Sequence, residues 1–301
     1  MLTKDILQAP KYRKNWAVIK QYGSGGEYKL TVMRSVRTRG LVGDGTPRVA
    51  AKRSEGKLSN NISRARSRVY ELAACNPWEW FCTFTLDKEK YNRYDLGKFR
   101  KDFAQFVRDY RKKTGENAKY LLIPEKHEDG AWHMHGFLLG VSVNAFHAFT
   151  LKERLPQKIR KRLSMGKQVF TWTAVAERFG FTDIEPIESH EAAAKYITKY
   201  VTEDLARSVT EYGAHMYYAS QGLARARVIM EGEARAEVAG YDFQNEYVRV
   251  AWSGHLQTLV GVFGALDIDE VSAFSDTIAD ARAWVETEAR VRRSLALLRD
   301  A

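Results

Sequence analysis

Trp132-His133-Met134-His135-Gly136-Phe137-Leu138-Leu139 sets two imidazoles two residues apart in an otherwise apolar run. In a strand, successive side chains alternate faces, so His133 and His135 share one side of a sheet and Met134 and Gly136 take the other. Upstream, Tyr120-Leu121-Leu122-Ile123-Pro124-Glu125-Lys126-His127 also reads as a strand, with Glu128-Asp129-Gly130 between the two. Loop length then decides what faces the histidines. A two-residue Asp129-Gly130 turn sets Lys126 opposite His133 and sends Glu125 to the wrong face. A three-residue loop puts glycine where a type I turn plus bulge needs a left-handed residue, pairs His127 with Ala131 and brings Glu125 opposite His133. The expected register is the second. Glu125, His133 and His135 then converge as a carboxylate and two imidazoles, a set suited to Mg²⁺, Mn²⁺ or Zn²⁺ with coordination positions left open. His127 shares that parity as a reserve ligand. A His-x-His pair alone is more often cross-strand packing than a ligand set; the carboxylate gives it weight.

The chain has 301 residues, enough for one large domain or two small ones with a sizeable core. Its apolar and charged fractions are those of a globular protein, and no apolar run is long enough to span a bilayer. The first residues contain no apolar leader core, and Cys75 and Cys82 fit neither a zinc knuckle nor a disulfide framework. A reducing, cytoplasmic setting is expected, with no membrane partner. The formal charge is +11, and residues 1–74 hold all of the excess: 16 Lys and Arg against 5 Asp and Glu, leaving 32 of each sign in the remainder. Such clustering points to a polyanion, because phosphate binding gains from counterion release.

Working outward, Asn15–Tyr22 and Glu27–Arg34 form a hairpin around a Gly-rich turn, and 34–57 reads as a basic, Gly-rich loop. Leu58–Ala73 is helical and carries Arg64, Arg66 and Arg68, candidates for phosphate contacts. Trp80–Leu86 is a strand, Tyr94–Arg111 an amphipathic helix, 144–165 mostly helix interrupted at Pro156, and Phe181–Glu188 a strand with Ser189 as N-cap of the next helix. From residue 78 the order is β-α-β-β-α-β-α. Its first six elements make a split βαβ arrangement, an α+β fold with a central antiparallel sheet and helices packed on one face. The expected division is a basic hairpin and helix over 1–77, a core over 78–205, and a helical C-terminal extension over 206–301 ending in a long helix at 269–299. Thr83 and Thr85 read as core strand, and Asp87 receives no role.

In the helix after the last strand, Tyr196 and Tyr200 are four residues apart and share a face, with Lys199 one turn from Tyr196. Such tyrosine pairs usually pack. Here Lys195 and Lys199 place the phenols in positive potential, which favours phenolate. A phenolate beside a metal-held phosphodiester has a natural target: in-line attack on phosphorus to give a phosphotyrosine.

Three motifs in order carry a resemblance to the HUH single-strand endonucleases, and within them to two-tyrosine rolling-circle replication initiators of small phages and plasmids. Phe81-Cys82-Thr83-Phe84-Thr85-Leu86-Asp87 resembles the first, Trp132-His133-Met134-His135-Gly136 the metal motif with Glu125 as the acidic third ligand, and Tyr196-Ile197-Thr198-Lys199-Tyr200 the tyrosine motif. The match covers roughly 78–204. The resemblance implies a ferredoxin- or RRM-like HUH core, Mg²⁺ or Mn²⁺ at Glu125, His133 and His135, and nicking and joining of single-stranded origin DNA by Tyr196 or Tyr200 with Lys199 assisting. Tyr196 is favoured as first nucleophile, since it also begins a single-tyrosine Tyr-x-x-Lys form. The 3′ hydroxyl would serve a host DNA polymerase. No phosphate-binding Gly-rich loop with Lys is present, so no nucleotide cofactor is expected and strand separation falls to a host helicase. Residues 213–223 resemble a segment that follows the tyrosine helix in some phage initiators. The competing readings are a non-catalytic basic DNA-binding protein, a transposase- or relaxase-type nickase, and a cupin-type metalloenzyme, which the alternation of strands with helices disfavours.

Overall fold

The computed structural model describes residues 12–23, 26–37, 55–211, 215–238 and 240–264. Most of the basic loop expected at 34–57, and the helix expected at 269–299, lie outside them. In chain order the elements begin β1 (Tyr12–Tyr22), β2 (Glu27–Arg37), α1 (Glu55–Ala74), β3 (Trp80–Leu86), α2 (Leu96–Thr114), β4 (Lys119–Lys126) and β5 (Trp132–Leu139). They continue with β6 (Phe146–Ala148), α3 (Gln157–Ser164), β7 (Phe170–Trp172), α4 (Thr173–Arg178), β8 (Gly180–Pro186), α5 (His190–Ile197) and α6 (Glu203–Glu211). The last are β9 (Tyr218–Ala219), β10 (Arg227–Glu233), β11 (Phe243–Gln244), β12 (Val248–Ser253) and α7 (Gln257–Val260).

The chain divides into two compact units, 1–51 with 226–301, and 52–225. In the first, the expected N-terminal hairpin forms, with Ala17 opposite Val32 and Ile19 opposite Leu30. Strands from the far end of the chain extend it into an antiparallel sheet ordered β10-β1-β2-β12-β11. Ala17, Ile19, Leu30, Val32, Met230 and Ala251 are buried with Leu259, Val262 and Phe263 from α7 and the turn after it. The boundaries expected at 77/78 and 205/206 therefore do not coincide with these units. Strands from both chain ends share one sheet, and α1 groups with the core.

The second unit is built on a seven-stranded antiparallel sheet, β6-β7-β8-β3-β5-β4-β9. Its centre, β8-β3-β5-β4, is the expected split βαβ order: β5 lies between β3 and β4, and β3 between β5 and β8. The fold is α+β. α2 starts at Asp95, whose side chain accepts from the Lys98 amide at 2.8 Å, and stops at Gly115 in the left-handed region. Its buried face, Phe99, Phe103 and Val107, packs on the sheet face of Phe84 and Tyr120. Trp172 and Phe179, flanking α4, pack on Phe106 of α2, so the two crossover connections cover one face as expected.

The opposite face is not bare, which corrects the one-face expectation. α5 and the 3-10 turn Thr198–Tyr200 sit there: Tyr196 meets Phe81, and Tyr200 meets His135, both on the odd-numbered face. Ile197 and Val201 are fully buried beside them. α1 braces this layer, with Arg66 Nε donating to the Val201 carbonyl at 2.8 Å.

The segment 144–165, read as one interrupted helix, is instead a 3-10 turn, β6 and only the short α3. Phe146 opposite Trp172 ties β6 into the sheet, so aromatic packing overrides helix propensity. Within 213–223, β9 pairs with β4, Leu121 opposite Ala219, and covers the edge of the sheet. Among the described residues no helix is long and apolar enough to cross a membrane.

Candidate active site

The β4–β5 hairpin closes in the three-residue register. The His127 amide donates to the Ala131 carbonyl at 2.9 Å, Gly130 takes φ +81°, and Glu125 lies opposite His133. Gly136 admits no side chain, since a Cβ there would sit 1.9 Å from the Leu121 carbonyl oxygen. This close approach sets β5 tightly against β4. Glu125 Oε2 and His135 Nε2 are 2.7 Å apart, and the His127 ring stacks on His133 with centroids 4.0 Å apart.

β3 supplies what the sequence reading passed over. Thr83 lies opposite His135 and Thr85 opposite His133, and their hydroxyls stand 3.1 Å and 3.2 Å from the respective Nδ1 atoms. Thr83 and Thr85 are thus site residues rather than plain core strand. Their parity, alternating with buried Phe84, is the signal that pointed to it. Burial pushes His133 down to about 4, with His127 and His135 adding to the effect. Burial also lowers His135, opposed by Glu125 and reinforced by Lys158 and Lys199. Both rings are therefore neutral near pH 7.

The tyrosines meet this hairpin from the helix layer. α5 starts at Ser189, whose Oγ accepts from the Ala192 amide, and ends at Ile197, where the chain tightens into the 3-10 turn. The two phenol oxygens lie 3.3 Å apart, with the rings edge to face. Tyr200 stacks flat on His135, centroids 4.1 Å apart and planes at 8°. The Lys199 ammonium sits 3.5 Å from the Tyr196 ring centroid and 4.8 Å from that of Tyr200.

These surroundings treat the two phenols oppositely. Burial tends to raise Tyr196, but hydrogen bonds from Lys199 and Tyr200 and the charge of Lys199 and Lys158 bring it below its ordinary value. Burial raises Tyr200 far above its own, with Tyr196 and Glu125 acting in the same sense. Tyr196 is also 47% exposed, whereas Tyr200 is half-buried. Tyr196 is the phenol that ionises first and the one a strand reaches.

Both constellations line one cavity of ≈ 1070 Å³, which also takes in Lys158 and Asp183. The sequence reading missed Lys158, which arrives from α3. It also gave Lys195 a share in the phenols' electrostatics, but Lys195 pairs with Glu191 at 2.5 Å. Of the three arginines on α1, Arg66 holds the Val201 carbonyl, Arg68 pairs with Glu71 at 2.6 Å, and Arg64 is exposed. Asp87 accepts from the Glu89 amide at 2.9 Å and closes the turn after β3.

The donor set has the chemistry of a divalent-ion site: a carboxylate and two neutral imidazoles on one strand pair, each Nδ1 partnered by a threonine. In the tautomer where Nδ1–H donates to threonine, Nε2 presents its lone pair. As it stands, His135 Nε2 instead donates to Glu125 and His133 rests against His127. Among the described residues no group of three His, Cys, Asp or Glu side chains is gathered closely enough to hold an ion in that arrangement. The residues fit such an ion by type, face and second partner, and ligation requires the His135 tautomer to change.

Residues 79–205 match a family model of replication-associated proteins, the ORF2 group. The matched span runs from the start of β3 through both tyrosines and so contains every residue of the site. No similar protein was found among curated proteins or among solved structures. The segment that carries the site is thus similar to proteins associated with replication.

Proposed function

We propose that the chain initiates rolling-circle replication by nicking and rejoining single-stranded DNA at an origin, through a 5′-phosphotyrosine on Tyr196. The observation that carries this reading is the meeting of the two constellations in one cavity. The ring of Tyr200 lies on His135, its hydroxyl touches that of Tyr196, and the Lys199 ammonium covers both rings. The replication-associated family match over the same residues supports it.

Glu125, His133 and His135 would hold Mg²⁺ or Mn²⁺, which would polarise a non-bridging phosphate oxygen and orient the scissile group. The remaining chemistry belongs to the chain. Tyr196 gives its proton to solvent, and Lys199 and the Tyr200 hydroxyl stabilise the phenolate. The phenolate oxygen bonds to phosphorus, the bond from phosphorus to the 3′ oxygen breaks, and the released 3′ oxygen takes up a proton. Energy is retained in the phosphotyrosine link, so rejoining runs the same steps backwards. Tyr200, kept protonated beside Glu125, is the donor in this first step. Attack by Tyr200 on a regenerated origin would be the second. A host polymerase would extend the 3′ end, and a host helicase would separate the strands.

The test is incubation of the protein with labelled single-stranded origin DNA and Mn²⁺. A protein–DNA adduct is expected, absent in His133→Ala and in Tyr196→Phe with Tyr200→Phe. A nick that survives loss of both tyrosines refutes the phosphotyrosine route. Sequence-specific binding with no nick at all would favour a non-catalytic DNA-binding protein.

A further inference from the structure

The charge balance of residues 75–301 conceals a second basic cluster. Residues 152–167 carry seven Lys and Arg against the single Glu153. Within it, Lys152, Arg154, Lys158 and Lys161 are exposed. Lys158 also lines the cavity that holds Tyr196 and Lys199.

The segment is anchored rather than loosely attached. Arg162 on α3 forks onto Asp183 and Glu185 of β8, and all three side chains are at most 23% exposed. Four residues earlier on the same helix stands Lys158, so the fork fixes where its stem starts. The loop before α3 is held as well: Arg160 Nη1 donates to the Leu151 and Glu153 carbonyls at 3.2 Å and 3.3 Å. Phe149 stacks on Phe181 of β8, which lines the cavity, with centroids 5.6 Å apart.

We infer that the exposed cations of 152–161 form the track for the sugar–phosphate backbone of the DNA single strand, with Lys158 on the phosphate nearest Tyr196. This rests on the replication reading above. Charge complementarity and continuity with the cavity identify the occupant as a polyanion entering the site. A preformed row of cations contributes affinity by counterion release and fixes register without reading bases. The electrostatic influence of Lys158 on Tyr196 and His135 agrees with its place at the inner end of the row.

The experiment measures binding of a labelled single-stranded oligonucleotide by the full-length Tyr196→Phe, Tyr200→Phe protein over a range of salt concentrations. One further variant adds Arg154→Gln, Lys158→Gln and Lys161→Gln. A charge-matched control adds Lys101→Gln, Lys112→Gln and Lys113→Gln on α2, which packs on the opposite sheet face. Each phosphate contact on a single strand contributes about 0.7 to the slope of log K against log salt, so losing three lowers the slope by about 2. That drop is expected in the first variant and not in the control. Equal slopes in the two variants, or no binding by the parent, overturn the track. Because covalent chemistry is disabled throughout, failure of nicking and failure of the track are read separately.

Discussion

Replacing Gly136 by alanine tests how tightly the two ligand-bearing strands are set together. The added Cβ would lie 1.9 Å from the Leu121 carbonyl oxygen, 2.8 Å from Leu122 Cδ2 and 2.9 Å from the Leu121 carbonyl carbon. Since real Cβ contacts do not fall below 3.0 Å, β4 and β5 must part locally by roughly 1 Å. Two of the three clashing atoms are backbone, so no rotamer change relieves them. Overpacking a close-packed core costs about 1–3 kcal/mol, and a backbone clash belongs at the upper end. For a unit of this size, about 3 kcal/mol lowers the melting temperature by roughly 6–12 °C. The displaced pair, Leu122 with Gly136, is three rungs from Glu125 with His133, so nicking should fall as well. The assay is thermal unfolding by circular dichroism beside single-turnover nicking. Melting within about 2 °C of the parent with full activity would refute the close approach.

Thr83→Val and Thr85→Val keep β-branched shape but remove the partners of both Nδ1 atoms, and each should weaken Mn²⁺ binding by about 10–100-fold in calorimetric titration without loss of fold. Unchanged affinity would leave the threonines as core residues. Tyr196 lies below its ordinary value near 10, so the folded chain binds fewer protons than the unfolded one between those two values. Its contribution to stability is present above pH 10 and is lost as pH falls through its folded value. Ultraviolet titration should show one early-ionising phenol that disappears in Tyr196→Phe and ionises later in Lys199→Met; the same early phase in Tyr196→Phe would reassign it.

Where a property depended on local chemistry, it could be read from the sequence. Gly130, following Glu128-Asp129, called for a left-handed residue in a three-residue loop, and that loop placed Glu125 opposite His133. Ser189 as N-cap and the apolar face of α2 are equally local. What depended on distant pairing was not readable. The roles of Thr83 and Thr85 exist only because β3 pairs with β5 in one register, fifty residues away. Lys158 reaches the cavity because Arg162 docks α3 on β8, and nothing in Gln157–Ser164 names that partner. The N-terminal hairpin is completed by β10 and β12, some two hundred residues later. β6 and β7 are three residues each, too short for an alternating pattern to register, so the helical reading prevailed there.

The most direct test is to find the DNA-linked residue itself. Trypsin cuts after Lys195 and Lys199, which places Tyr196 in the peptide Tyr196–Lys199 and Tyr200 in Tyr200–Arg207. After reaction of the full-length protein with single-stranded origin DNA and Mn²⁺, nuclease trimming and mass spectrometry should find nucleotide phosphate on Tyr196–Lys199. A trapped nucleotide on any peptide other than these two, or DNA nicked with both peptides unmodified, would contradict the tyrosine-linked mechanism.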